Sequence, residues 1–277
     1  MDARTVPVFQ EATLKKTTIP DIARRKAEGG KIVMITAYDV VFSRIFDEVG
    51  VDILLVGDSL GQVVLGLPDT LGVTMEDMER HTAAVGRGRK RALLVADMPF
   101  LSFQAEPAEA IRNAGRLLQA GAEAVKLEGG LNIEATLRAI VNCDIPVMGH
   151  VGLTPQSIHR MGGYRVQGKD AAQRQRLMDD ALAVQEAGAF SLVLEGIPAD
   201  LAAGITERLS IPTIGIGAGA GCDGQVLVMQ DLLGLLDDFR PKFVKRFAEL
   251  KAPVQKAVRA YADAVRRGTF PGKEHSY

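Results

Sequence analysis

Short apolar runs rich in β-branched residues alternate along this chain with longer segments in which apolar residues return every three or four positions. The first pattern suits buried parallel strands and the second suits amphipathic helices, so together they predict repeated βα units around a parallel sheet. Eight runs can be counted, at 31–39, 52–59, 92–100, 124–130, 145–152, 191–198, 211–219 and 224–231. Eight units predict an α/β fold of the (β/α)8, or TIM, barrel class, and one domain over 1–277 fits that length. Between the runs lie helix candidates such as PAEAIRNAGRLLQAG (107–121), where Pro107 suits a first helical position and Gly121 a helix end. TMEDMERHTAAVGRG, AAQRQRLMDDALAVQEAG and DLAAGITERLS are the others.

Two segments exceed a minimal barrel. TIPDIARRKAEGG reads as an extra N-terminal helix of the kind that closes a barrel's bottom, and a C-terminal helical extension follows the eighth run. Within it, APVQKAVRAYADAVRRG (252–268) carries an apolar stripe at Val254, Val258, Tyr261 and Val265 among basic residues. That stripe is expected to pack on the barrel or, in the reading preferred here, on a second subunit. An internal echo, AGAEAVKLEGG (120–130) and AGAFSLVLEGI (187–197), fits two βα units reusing one corner and speaks for architecture rather than activity.

Charge narrows the partners. With 33 basic residues against 34 acidic ones the net charge is −1, so neither nucleic acid nor a membrane surface is indicated, which leaves small molecules and copies of the same chain. Cys143 and Cys222 are too few for a disulfide framework or a cysteine zinc site. The N-terminal MDARTVPVFQEATLKK lacks an apolar leader, and no run approaches the roughly eighteen apolar residues a membrane span needs, so a cytoplasmic protein is expected.

The chemistry of such a barrel collects at the C-terminal ends of its strands. Here the runs end on Thr36-Ala37-Tyr38-Asp39, Gly57-Asp58-Ser59, Ala96-Asp97, Lys126-Leu127-Glu128, Gly149-His150 and Leu194-Glu195. Any one of these polar residues could be a turn former or helix cap. Glu128 and Glu195 are followed by glycine and make poor caps, so the convergence favours a site. Strand alternation puts Lys126 and Glu128 on one face and Val125 and Leu127 on the other. The charged pair should then point into the barrel top, either as a buried ion pair or for a charged ligand. Asp58, Asp97 and Glu128 on successive strands form an oxygen-rich set without cysteine, which suits Mg2+ better than zinc. The loop GIGAGAGCDGQ (215–225) is either an anion cradle or a tight turn that lets the backbone approach the site closely; it lacks a nucleotide-binding lysine and follows a seventh strand rather than a first.

The motifs ITAYD, LLVGDSLG, TLGVTMEDMERHTAAV, ADMPF, AVKLEGG, GHVGLTPQS, GGYRVQG, LVLEGIP, IGIGAG, DGQVLV and PGKEHS, in this order from Thr17 onward, resemble the ketopantoate hydroxymethyltransferase family. The resemblance implies a (β/α)8 barrel assembled as a homodecamer, dependence on Mg2+, and transfer of a hydroxymethyl group from 5,10-methylenetetrahydrofolate to 3-methyl-2-oxobutanoate, giving 2-dehydropantoate for pantothenate synthesis. Carried to matching positions, it implies Asp58 and Asp97 as metal residues with Glu128 completing the set. It places Asp58, Ser59, Asp97 and Lys126 around the ketoacid and makes Glu195 the proton acceptor. His150 is expected to assist by hydrogen bonding. A carboxylate base near neutral pH needs a raised pKa, which the apolar neighbours Leu192, Val193 and Leu194 should supply. Two rival readings stay open on the residues alone: a class I aldolase with Lys126 as Schiff base, and a non-catalytic barrel that binds a small acid.

Overall fold

A computed structural model describes residues 15–236 and 241–277; residues 1–14, where the absence of a leader was read, and 237–240 lie outside the described residues. In chain order the elements are α1 (Ile19–Ala27), β1 (Ile32–Thr36), α2 (Val40–Glu48), β2 (Ile53–Val56), α3 (Leu60–Val63), α4 (Met75–Gly88), β3 (Leu93–Asp97), α5 (Pro107–Gln119) and β4 (Ala124–Glu128). There follow α6 (Glu134–Val141), β5 (Val147–Gly152), α7 (Ile158–Met161), α8 (Ala171–Glu186), β6 (Ser191–Glu195), α9 (Ala199–Arg208), β7 (Thr213–Ile216), β8 (Gly224–Leu227), α10 (Met229–Leu233) and α11 (Lys251–Arg266). The eight strands close in sequence order into a barrel, as the sequence predicts. Each strand is shorter than its apolar run, because the run ends carry glycine, proline and polar residues that leave the ladder.

One face of every strand feeds a single core: Ile32 and Met34, Ile53 and Leu55, Leu93 and Val95, Ala124, Met148, Val193, Ile214 and Ile216, and Val226. Because side chains alternate, the same face continues upward to Thr36, Asp97, Lys126, Glu128, His150 and Glu195. The apolar fill of the barrel thus gives way, one or two residues further along, to a polar floor at the C-terminal ends. The outward positions Val125 and Leu127 are wholly buried.

The barrel's other end is shut by α1. Its start is fixed by a capping box between Thr18 and Asp21, with Pro20 in the first turn. Ile22 is wholly buried in the barrel core, Arg25 reaches Asp52 at 2.6 Å, and Lys26 reaches Asp223 at 2.9 Å and the Thr206 carbonyl at 2.8 Å. The extra N-terminal helix expected from the sequence therefore closes the bottom.

No helix separates β7 from β8. The glycine-rich loop between them runs directly against α9: a Cβ on Gly219 would lie 2.5 Å from the Ala199 Cβ, and one on Gly221 would lie 2.9 Å from that of Ala203. The contacts show the loop's glycines serving close packing on α9.

The chain divides into two compact units, one running to Val226 and one over Leu227–Tyr277. The second contains α10 and α11, linked by backbone bonds from Phe247 N–H to the Leu232 carbonyl (2.9 Å) and from Leu250 N–H to that of Leu233 (2.9 Å). On α11, Val254, Val258, Tyr261 and Val265 are all exposed, and Tyr261 stacks edge-on against Phe270.

Candidate active site

Strand register assembles the polar floor. Asp97 at the end of β3 pairs with Lys126 on β4, Glu128 pairs with His150 on β5, and Gly152 pairs with Glu195 on β6. Asp58 and Ser59 leave β2 just beyond its last residue and turn into α3. Asp58, Asp97, Lys126, Glu128 and His150 are all under a tenth exposed. Five of the sequence-predicted residues are joined by short contacts. The Lys126 ammonium lies 3.1 Å from Asp97 Oδ1 and 3.0 Å from His150 Nδ1. Asp97 Oδ2 accepts from the Asp58 backbone N–H at 3.0 Å, and His150 Nε2 lies 3.2 Å from Glu195 Oε2. Glu128 Oε1 is 3.5 Å from His150 Nδ1, too far for a hydrogen bond.

Ser59 joins the floor through Tyr38, whose hydroxyl lies 2.9 Å from Ser59 Oγ. Gly57 makes room for both: a Cβ there would lie 2.9 Å from Ser59 Oγ and 3.6 Å from Asp97 Oδ2. Asp39, which the sequence placed with the rim residues, is not part of the floor. Its carboxylate caps α2 by accepting from Val41 N–H at 2.8 Å and Phe42 N–H at 2.9 Å.

Burial of so many like charges moves their pKa values. Asp58 is pushed up to about 7, first by loss of solvent and then by repulsion from Asp97. Glu128 is raised well above the carboxylate range by burial and by Asp58. Glu195 is raised to about 7 by burial, with Lys126 pulling the other way. For Lys126, burial works against the charged form, but Asp97, Glu128 and Asp58 outweigh it and hold the ammonium charged. His150 is kept neutral by burial and by the adjacent ammonium. An ammonium can only donate, so His150 Nδ1 accepts and Nε2 carries the proton that faces Glu195.

Two polar residues to which the sequence assigned no role prove central. Gln156 donates from Nε2 to Asp58 Oδ2 at 2.8 Å and to the Met98 carbonyl at 2.9 Å. Its Oε1 accepts from Gln104 at 3.0 Å, and its backbone N–H donates to Glu128 Oε2 at 2.9 Å. One residue, through its side chain and its backbone N–H, thereby ties the ends of β2, β3 and β4. Tyr38, the other, is 2 % exposed and orients Ser59.

Among the described residues no group of three or more His, Cys, Asp or Glu side chains stands ready to hold a metal ion. Two observations nevertheless suit a divalent cation. Asp97 Oδ1 is buried without an aligned hydrogen-bond donor, its 3.1 Å approach to Lys126 being off the hydrogen-bonding direction. Three buried carboxylates, Asp58, Asp97 and Glu128, also face one ammonium. A hard ion such as Mg2+ uses one or two carboxylates and takes its remaining ligands from water and substrate, so a complete protein cage is not required.

A family model described as ketopantoate hydroxymethyltransferase matches residues 16–273. The chain belongs to the ketopantoate hydroxymethyltransferase family. A protein of Pelobacter propionicus named 3-methyl-2-oxobutanoate hydroxymethyltransferase is 60 % identical over 264 residues, covering 95 % of this chain and 98 % of that one. A Geobacter metallireducens protein of the same name is 59 % identical, covering 95 % and 99 %. The chain is therefore an enzyme, a transferase. Solved structures share its barrel: phosphonopyruvate hydrolase at a TM-score of 0.61 and 12 % identity, covering 94 % of this chain and 93 % of that one. A 2,3-dimethylmalate lyase of the PEP mutase/isocitrate lyase superfamily aligns at 0.58 and 17 %, covering 93 % and 87 %. At such identities the likeness is one of fold. In this member of the ketopantoate hydroxymethyltransferase family, the signal for Gln156 was present in the motif GHVGLTPQS, but its partners Glu128 and Asp58 stand 28 and 98 positions away, and only the folded loop joins them.

Proposed function

We propose that the enzyme transfers a hydroxymethyl group from 5,10-methylenetetrahydrofolate to 3-methyl-2-oxobutanoate, giving 2-dehydropantoate for pantothenate synthesis. The acceptor is the one named for relatives about 60 % identical over nearly the whole chain. The observation that carries the chemistry is Glu195, a mostly buried carboxyl, 16 % exposed, raised to about 7 beside a neutral imidazole. A base with that pKa is deprotonated in a useful fraction at neutral pH and still strong enough to take the proton from C3 of a 2-oxo acid. Loss of that proton makes C3 the nucleophile that accepts the one-carbon unit. His150 Nε2 stands 3.2 Å from Glu195 Oε2 without an aligned hydrogen bond, while Lys126 offers a fixed positive charge to the substrate carboxylate. Ser59, held by Tyr38, and Asp97 flank the same space.

Asp58 and Asp97 are the residues that would hold Mg2+, with Glu128 close behind and fixed by Gln156. When bound, the ion supplies positive charge at the acid's oxo oxygen, where negative charge develops. The environment of Lys126 favours its ammonium, whereas a Schiff-base lysine needs its neutral amine, so the aldolase alternative fits this site poorly. The exposed stripe on α11 supports self-association, in keeping with the decamer that the family resemblance implies. Among the described residues no helix is long and apolar enough to cross a membrane, and a cytoplasmic location remains part of this reading.

The test is deuterium exchange at C3 of 3-methyl-2-oxobutanoate, followed by product formation with 5,10-methylenetetrahydrofolate, each with Mg2+ and with EDTA. Wild type should exchange and form product only with metal, and Glu195→Gln should bind the acid yet exchange about 100-fold or more slowly. Unimpaired exchange in Glu195→Gln would remove it from the base role, and no product from wild type would sink the reaction as written.

A further inference from the structure

A cavity of about 430 Å3 opens beside the C-terminal ends of β4 and β5, walled by the loop after β4, by α7 and by α8. Glu128 stands at its edge, so it adjoins the polar floor. Its acceptor atoms are largely taken by backbone N–H groups. Asn132 Oδ1 accepts from Gly130 at 3.1 Å, Gln173 Oε1 from Gly168 at 3.0 Å and Lys169 at 3.2 Å, and Asp180 Oδ1 from Leu131 at 2.9 Å. What remains for a ligand is mostly donors. The Asn132 and Gln173 amide NH2 groups and the guanidiniums of Arg160 and Arg176 have no hydrogen-bond or ion-pair partner among the described residues. Two guanidiniums without a partner among the described residues share the lining with the carboxylates of Asp180 and Glu128, each of which already accepts a backbone N–H, from Leu131 and from Gln156.

A cavity whose free groups include two guanidiniums and two amide NH2 groups selects a ligand rich in acceptors and negative charge. Arginine presents a planar fork of N–H groups that matches a carboxylate two at a time, and a terminal glutamyl group carries two carboxylates. We propose that this cavity holds the glutamyl tail of the one-carbon donor, with Arg160 and Arg176 as its anchoring residues. The assignment rests on the reading that the donor is a reduced folate. The cavity's contact with Glu128 places a tail bound there beside the site, so the donor's reactive end can lie over the polar floor.

The experiment is steady-state kinetics with three donors, the 5,10-methylene derivatives of tetrahydropteroate, tetrahydrofolate and tetrahydropteroyltriglutamate. They bear no glutamate, one and three. Wild type is compared with Arg160→Ala/Arg176→Ala and with Arg160→Lys/Arg176→Lys. We expect wild type to show a lower KM for tailed donors. The double alanine variant should lose that preference, its KM for tailed donors rising about tenfold or more to meet that of the tail-free donor, as loss of charge-assisted contacts implies. Its KM for the ketoacid, its kcat and its turnover of the tail-free donor should stay at wild-type values, and the lysine variant should recover part of the preference. A double alanine variant that keeps the preference, or that is equally impaired with the tail-free donor, overturns the assignment. If wild type turns over all three donors while the variant discriminates like wild type, only the cavity assignment fails. If wild type yields no product with any of them while still exchanging C3 deuterium, the folate reading itself fails.

Discussion

Glu195 is buried at some cost to stability. Its carboxyl has an ordinary value of 4.5 and stands at about 7 in the fold, mainly because burial penalises the charge. A raised carboxyl binds its proton more tightly in the folded state than in the unfolded one. Its stabilising contribution is therefore complete below about 4.5 and is lost as pH rises through about 7. Glu195→Gln, which cannot ionise, escapes that loss. Compared by thermal unfolding in metal-free buffer, the variant should gain on wild type between pH 5 and pH 8, by on the order of 3 kcal/mol at most. A stability difference that does not change with pH would show that Glu195 is not buried as a perturbed acid. Gln156 works at the same scale by a different means. It contributes no charge but consumes one oxygen each of Asp58 and Glu128, so those carboxylates are held by hydrogen bonds rather than by mutual repulsion.

The individual elements have distinct jobs. Helix α1 lies outside the repeating βα pattern, yet Ile22 is wholly buried in the core that all eight strands share. Truncating it leaves a cavity at the barrel's closed end, where strands cannot easily collapse inward. Ile22→Ala should cost about 2–5 kcal/mol in urea unfolding, with KM for the ketoacid unchanged because the site lies at the opposite end. A loss below about 1 kcal/mol would mean that α1 is a cover rather than a plug. The start of α1 was readable from Thr18, Pro20 and Asp21 as a helix start, and its role was not, because the partners Asp52, Thr206 and Asp223 come from distant parts of the chain.

For the molecule as a whole, the open question is what covers α11. Four large apolar groups on one helix, each 46–60 % exposed, are more than scattered surface hydrophobics. Self-association through this face predicts that Val258→Asp together with Tyr261→Asp lowers the mass measured by light scattering, while circular dichroism stays that of a folded barrel. An unchanged mass would place the contact between subunits elsewhere.

Much of this protein was determined locally. Apolar runs of strand length, separated by helical periodicity, require only neighbouring residues to be recognised, and they specified the eight strands, the closing helix at the N-terminus and the apolar stripe at the C-terminus. Alternation along single strands also placed Lys126 and Glu128 inward, with Val125 and Leu127 outward. Tertiary structure decided what crosses between strands: that Lys126 lies between Asp97 and His150, that His150 faces Glu195, and that Gln156 returns from its loop to bind Asp58 and Glu128. It also moved Asp39 out of the site and into a helix cap, and showed the glycines of 215–225 to be packing residues. The reason is the range of the forces involved. Strand and helix patterns arise from each residue's near neighbours, whereas a pKa, a tautomer or a hydrogen-bonded carboxylate depends on groups that only the closed barrel brings within a few ångströms.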